Sequence, residues 1–510
     1  MSPHADKNAT TAVPKRESAL GISVLIVGGG VAGLMAALEM WRQGLDVQII
    51  ERSTSRLTAG DGFSISHTII RAFNKWPYLR KKNQEITGHP SLAWHNLKGE
   101  RLNGPTDMIY PSPKVDNSKE DADNANINKN NKEGEVSSSL YRHSRPKFHL
   151  MLETQLEQIG LKVQYGKRVV RYFETPEDEK AGVELEDGTT LKADLVVAAD
   201  GIGSHSTKIT LGKEVPARST GLSVYRAAYP VGIIESDPEI LEKIDTTPDG
   251  ESIAQLWIGD SLQGDAITAH FARNKDEITW AITHKVSKGS SESWSKTVVP
   301  EDVFKVTSTI EGWPDYANRV IALTPKDKLL DFELVWRDPQ PIWTSSSGRV
   351  VQIGDAAHTF LPTAGNGASQ GLEDAISLAK CLRIAGNKEN ITEATKVHNK
   401  LRYERVACLQ KLGICNQATQ YGQKSSGSGE TKSKPKYIRM LMAPWTWKHD
   451  PENYAEEKYH DALAALKDDR VPFQNTNVPH GCVHKPWNFE SLLKSLEDGA
   501  EPDLEGDWES

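Results

Sequence analysis

Two kinds of apolar pattern alternate along the chain. Short, near-continuous runs read as strands buried on both faces: Ile22–Val27, Val47–Ile50, Leu195–Ala199 and Val350–Ile353. Between them, apolar residues recur at helical spacing. Leu34, Ala37, Leu38 and Trp41 form one such set, closed by Gly44; Leu150, Leu152, Leu156 and Ile159 form a second. Leu372, Ala375, Ile376, Ala379 and Leu382 form a third, and a further helix is predicted over roughly 394–411. Residues 162–200 alternate as strands around an Asp187-Gly188 turn. From 215 to 345 strands dominate, at Leu222–Tyr229, Ala254–Ile258, Ala266–Ala272 and Ile278–His284. The pattern predicts an α/β (α+β) chain: a Rossmann-like domain, an inserted and mostly antiparallel sheet, and a helical C-terminal part.

Polar stretches set the boundaries. Residues 1–20 read as a disordered tail. Asp116–Glu135 holds only Ala122, Ala125 and Ile127 among Asn, Asp, Lys and Glu, the composition of a disordered insertion. Ser425–Lys434 is a Ser/Gly/Lys linker. The expected organisation is a nucleotide-binding domain from 21–210 and 346–425, a sheet domain at 211–345 for the substrate, and a linker with extension at 426–510. Trp445, Trp447, Tyr454 and Tyr459 in that extension are expected to pack over one of the two domains. Tyr225, Trp257, Phe271 and Trp280 in the sheet suit either an apolar substrate wall or an ordinary core.

Bulk composition narrows the functional classes. The 510 residues carry a net charge of −8 and no basic face, which argues against nucleic acid as a partner. Cys381, Cys408, Cys415 and Cys482 are scattered without a CxxC pair, so neither a disulfide framework nor a zinc site is expected. The N-terminal 20 residues lack the apolar core of a secretory signal, and no apolar run reaches the roughly 18–20 residues that span a bilayer. A cytoplasmic location follows as the expectation.

The chemistry concentrates at three strand ends. The first strand turns at Gly28-Gly29-Gly30-Val31-Ala32-Gly33 into a helix, and the second strand ends in Glu51. This is GxGxxG in its full strand–turn–helix context. Gly28 makes the turn, Gly30 lets the backbone approach a pyrophosphate, and Gly33 permits close helix–strand packing. Glu51 would accept from a ribose hydroxyl and repel a 2′-phosphate. A later strand delivers Asp200-Gly201, where ligands of open α/β sheets gather. The last delivers Gly354-Asp355, then Gly365-Asn366-Gly367 at a helix start, whose bare amides and dipole suit an anionic group. Gly60-Asp61-Gly62 suggests backbone lying close to something bound. Among the histidines near these motifs (His67, His205, His358), His67 is the first to test, against the expectation of a helix-surface residue.

Gly28–Gly33 with Glu51, Asp200-Gly201 and Gly354-Asp355, in this order, resemble the single-component FAD-dependent aromatic hydroxylases, the group A flavoprotein monooxygenases. The closest likeness is to fungal salicylate-hydroxylase-like enzymes of secondary metabolism, and it covers about residues 22–415. The resemblance implies that Gly28, Gly30, Ala32 and Gly33 cradle the FAD pyrophosphate and that Glu51 holds the adenosine ribose. Gly62 would lie near the flavin, Arg145 would contact FAD, and Asp200 would serve both FAD and NAD(P)H. Asp355 would bind the ribityl chain, and the amides of Asn366, Gly367 and Ala368 would face the flavin pyrimidine. Such enzymes have no separate nicotinamide domain, in keeping with a single GxGxxG unit.

Arg226, in Tyr225-Arg226-Ala227-Ala228-Tyr229, matches an arginine that positions or deprotonates the phenol in related phenol hydroxylases. The tyrosine expected about 33 residues later is replaced by Leu256-Trp257-Ile258-Gly259, which departs from a phenol-specific mechanism. The resemblance implies NADPH (or NADH) reduction of FAD, O2 addition at C4a, and attack of the hydroperoxide on an electron-rich aromatic carbon. The product would be a hydroxylated phenolic or polyketide-type compound. No metal is expected, and the protein would act as a monomer or homodimer. Epoxidation of an indole or alkene needs no acid–base pair and remains open. The WxWxIP signature of flavin halogenases is absent: Pro444-Trp445-Thr446-Trp447-Lys448 lacks the Ile-Pro. A simple dehydrogenase would need no O2, and a non-catalytic flavin-fold binding protein would not need all three motifs.

Overall fold

The computed structural model describes residues 14–56, 60–107, 141–259, 266–274, 276–286, 297–422 and 436–510. The expected insertion at 116–135 and linker at 425–434 lie outside the described residues.

A five-stranded parallel sheet organises the nucleotide-binding half. Its order is Val350–Gln352, Leu195–Ala198, Ser23–Val27, Asp46–Ile50 and Val163–Gln164. Both faces are covered, which is why these strands read as unbroken apolar runs. On one face pack the Val31–Arg42 and Gly367–Ala385 helices, with Leu34, Met35, Ala375 and Leu378 fully buried between them. Truncating a side chain such as Leu34 to alanine would cost about 2–5 kcal/mol. The other face meets a three-stranded antiparallel sheet through Tyr172, Val183 and Leu185.

The strand-rich segment forms a seven-stranded sheet, antiparallel except at one pairing. Its last two strands, Ser91–Asn96 and Arg101–Asp107, come from inside the segment that the sequence assigns to the nucleotide-binding domain. The alternation sorts its faces cleanly. Tyr225, Ala227, Trp257, Ala269, Phe271, Trp280 and Ile282 point outward into a core closed by the Pro300–Thr307 and Asp315–Ala322 helices. Those aromatics are therefore core, and the opposite face, with Arg226 and His270, is left for a ligand.

The C-terminal segment is an integral part of the molecule. Ala455, Tyr459 and Ala462 of the Pro451–Lys467 helix join the main core, and Glu452 bonds Arg42 at 2.6 Å. Phe489 stacks on Trp336, centroids 4.0 Å apart, at the edge of the seven-stranded sheet. At the other end, Arg16 donates to Leu45 O at 3.0 Å, so residues 14–20 lie along the sheet rather than trailing away. Among the described residues, no helix is long and apolar enough to cross a membrane.

Candidate active site

Register brings the three strand ends together. Val27 pairs with Ala198, and Ala198 with Gln352, so Gly28, Asp200 and Gly354-Asp355 emerge side by side at the carboxyl rim. Parallel alignment makes this unavoidable: strands that run the same way deliver their following loops to one edge.

Each glycine of the first turn has a distinct spatial reason. Gly28 has φ +111°, and a Cβ there would meet Ala199 O. At Gly33 a Cβ would collide with Gly28 O, while at Gly30 it would meet nothing within 4 Å. Gly30 therefore borders open space at the positive end of a 12-residue helix, a cradle that fits a pyrophosphate. Ala32 fills another role: its methyl is the knob on which Gly354 and Gly371 close, and a Cβ on either would come within 3.1–3.2 Å of it. Glu51 accepts from Gly29 N at 2.7 Å and Ser53 N at 2.8 Å, which fixes its carboxylate beside the turn. His149, not singled out by the sequence, bonds Gly29 O at 2.7 Å and steadies that turn.

Asp200 accepts from Tyr172 OH at 2.7 Å through Oδ2, while its buried Oδ1 has no partner among the described residues. Burial raises its pKa against the opposing bonds from Ser204 and Tyr172. A carboxylate oxygen enclosed without a donor fits a ligand hydroxyl or amide. Asp355 is exposed at the cleft among surrounding protein; desolvation raises its pKa while His358, Arg145 and Arg337 oppose the shift. Arg337 was not foreseen either. It donates to Ile202 O at 2.6 Å and to Ala356 O at 3.2 Å, clamping the Asp200 loop to the Asp355 loop.

The opposite wall is cationic. Arg145 N bonds Asp61 O at 2.9 Å, and its guanidinium lies in the fields of Asp355 and Asp61, with desolvation the stronger influence on its pKa. Gly62 pairs with Ser144 across a two-stranded ribbon, and a Cβ on it would sit 3.0 Å from Arg142 Nε. Arg226 reaches across from the seven-stranded sheet to Asp61 Oδ2 at 3.1 Å, with its guanidinium 5.6 Å from the Phe332 ring centroid. It therefore bridges the two halves of the molecule. Gly367 and Ala368 open a 19-residue helix whose N-cap, Asn366, makes no side-chain cap bond, leaving its first amides for a ligand. A Cβ on Gly367 would press on Phe360 at 2.9 Å.

His67 is not on a helix surface. It is buried between Tyr141 and Trp447, and desolvation lowers its pKa to about 4, so it is neutral at pH 7. His358 is buried on Asp374 at 2.5 Å, and His205 is exposed. Behind the rim lies a fully buried ionic cluster that no motif announced. Arg402 bonds Asp374 at 2.8 Å and Glu373 at 2.6 Å, and Asp374 also accepts from Gly354 N at 2.9 Å. Arg405 joins Glu373 at 2.9 Å to the carbonyls of Trp445, Thr446 and Asn477. Its only trace in the sequence is charge on otherwise apolar helices, at Leu372-Glu373-Asp374-Ala375 and Leu401–Arg405.

A parallel sheet with a glycine turn opening a helix, the Glu51 carboxylate and two further acids on one rim, closed by a second sheet, has the architecture of an FAD-binding enzyme of the aromatic-hydroxylase type. The chain belongs to the FAD binding domain family, whose model matches residues 21–390, and it is an FAD-dependent monooxygenase. It is 36% identical over 97% of its length to FAD-dependent monooxygenase fsr3 of Gibberella fujikuroi, covering 90% of that protein. It is likewise 36% identical over 98% of its length to FAD-dependent monooxygenase mdpD of Emericella nidulans, covering 92% of it. Among solved structures, CtdE in complex with FAD and a substrate superposes with TM-score 0.72 at 26% identity, over 88% of this chain and 100% of that one. A salicylate hydroxylase substrate complex shares the fold, with TM-score 0.59 at 20% identity over 86% of this chain and 97% of that one.

Proposed function

We propose that this protein is an NAD(P)H- and O2-dependent monooxygenase that hydroxylates an aromatic, phenolic or polyketide-type small molecule. The observation that carries the reading is the Arg226–Asp61 bridge: it closes a cation-lined sheet face over the rim where FAD fits. Bound FAD would supply the chemistry the side chains lack, accepting two electrons from the nicotinamide and activating O2.

The residues do the binding and the shielding. The Gly30 amide and the helix dipole hold the pyrophosphate, Glu51 the adenosine ribose, and Asp355 with Arg145 the ribityl side. Asp200 and the Gly201 backbone complete the rim. Amides at Gly367 and Ala368 face the pyrimidine and stabilise negative charge there. The Arg226 guanidinium sets a positive field over the substrate. With no second GxGxxG unit in the chain, the nicotinamide would reach the flavin through the open cleft.

The test is NADPH and NADH oxidation by the FAD-loaded protein, with O2 uptake followed against a panel of phenols and indoles. Faster oxidation with a phenol, and one 18O atom from 18O2 in a hydroxylated product, is the expected result. Nicotinamide consumption that no aromatic alters, with all O2 recovered as H2O2, would sink the hydroxylase reading.

A further inference from the structure

Strand register lays out a row across the inner face of the seven-stranded sheet. Arg226 pairs with Ala281, Ala281 with His270, His270 with Leu256, and Leu256 with Trp94. Their neighbours Tyr225, Ala227, Ala269, Phe271 and Trp257 all point into the outer core, so the row itself faces the FAD rim. With strands about 4.8 Å apart, Arg226 and His270 stand about 10 Å apart at the backbone with only a methyl group between them. The row thus has a shallow floor at Ala281, a polar rim on each side, and apolar, half-buried Leu256 and Trp94 beyond.

Near this row lies Arg142, on the short strand against Gly62, close enough for its charge to act on His270 and to meet that of Arg226. Arg226 is engaged by Asp61. Arg142 is different: among the described residues no carboxylate lies within ion-pair distance of its guanidinium, which is half-buried and packs against Gly62. Burial and the Arg226 charge both disfavour it, while Asp61 offsets them in part. His270 is held neutral, its pKa lowered to about 3 by burial and then by the Arg142 charge. A desolvated guanidinium opposite a neutral imidazole calls for an oxyanion with a hydrogen-bonding neighbour.

We propose that Arg142 and His270 form a subsite for the ionised hydroxyl of a planar aromatic substrate that lies over Ala281 with its apolar body toward Leu256 and Trp94. This rests on the hydroxylase reading above and deepens it: Arg226 braces the Asp61 loop, while Arg142 takes the substrate oxygen. The substrate class is a fused-ring phenol rather than its ether. Stabilising the phenolate also raises electron density on the ring carbons, which an electrophilic oxygen donor requires.

The test uses FAD-loaded protein with 2-naphthol and 2-methoxynaphthalene as probes, binding being read from the flavin spectrum. Wild type should bind the naphthol about ten- to a hundredfold more tightly than the ether, the range of a charge-assisted hydrogen bond. Arg142→Gln should abolish that preference, Arg142→Lys should keep part of it, and Ala281→Phe should weaken both probes by filling the floor. Bound 2-naphthol should show naphtholate absorbance at lower pH in wild type than in Arg142→Gln, a signature a merely structural arginine would not produce. Flavin content, measured alongside, separates a lost cofactor from a lost contact. No preference in wild type, or an unchanged preference in Arg142→Gln with flavin retained, overturns the subsite. The two readings fail separately: a probe preference lost in Arg142→Gln, with NADPH oxidation indifferent to every aromatic, keeps the subsite and removes the hydroxylase. Phenol-stimulated oxidation unaltered by Arg142→Gln does the reverse.

Discussion

Gly30 and Gly33 are three positions apart and share a residue type, but a side chain on each would meet different things. A Cβ on Gly30 enters the open cradle, whereas one on Gly33 runs into Gly28 O. Gly30→Val should fold normally and lose FAD, with retention after gel filtration falling at least about tenfold as one pyrophosphate contact is blocked. Gly33→Val should destabilise the apoprotein by about 1–3 kcal/mol or more, read as a drop in the urea midpoint. If both variants lost only flavin, the division of labour within the turn would be wrong. The same scale separates Arg226 from Arg142, because one meets a carboxylate at 3.1 Å and the other packs against Gly62 with no carboxylate in ion-pair distance among the described residues.

At the scale of elements, the Gly367–Ala385 and Ile391–Gly422 helices meet through charge rather than through apolar packing alone. Arg402 is fully enclosed, and without it Asp374 would keep only His358 and Gly354 N, and Glu373 only Arg405, against the cost of their burial. Arg402→Met should therefore cost about 3–5 kcal/mol in urea denaturation. The cluster also predicts acid sensitivity. The arginines hold Glu373 down to about 2 against the desolvation of its burial, so its stabilisation is complete above about pH 4.5 and fades as the pH falls toward 2. Buried His398 works in a higher window. Its folded pKa is lowered to about 3 by burial, whereas the unfolded chain takes up the proton near 6.5. Its neutral state thus stabilises fully above pH 6.5 and costs about 2 kcal/mol by pH 5. Urea midpoints measured from pH 7 to 5 should fall steadily, and His398→Asn should flatten part of that slope; an unchanged slope would refute the assignment.

On the scale of the whole molecule, the C-terminal segment closes the nucleotide-binding core. Tyr459 and Ala462 are buried in that core, and Arg405 grips three carbonyls of the segment. Deleting residues 436–510 should leave those groups unpaired in apolar surroundings and abolish the cooperative thermal transition. A truncated protein that melts in one sharp step near the wild-type temperature would contradict this.

Much of this design was legible from residues alone. Glycines, acids and apolar runs placed the rim, since each motif lies within a dozen residues and is set by local sterics and the continuous burial of parallel strands. The sheet's two faces could also have been read from its alternation, yet the cleft side was not, because a period of two does not say which face meets a partner. Arg142 is far in the chain from His270 and Ala281 and lies on a separate two-stranded ribbon, so only tertiary packing brings it to the hairpin that pairs the other two. Arg337, Arg402 and Arg405 belong to no motif; folding removed their water and supplied their partners. Local conformational preference and burial pattern were determined by the sequence itself; which distant charges share a site was decided by tertiary packing, because desolvation and pairing exist only once the chain has closed around them.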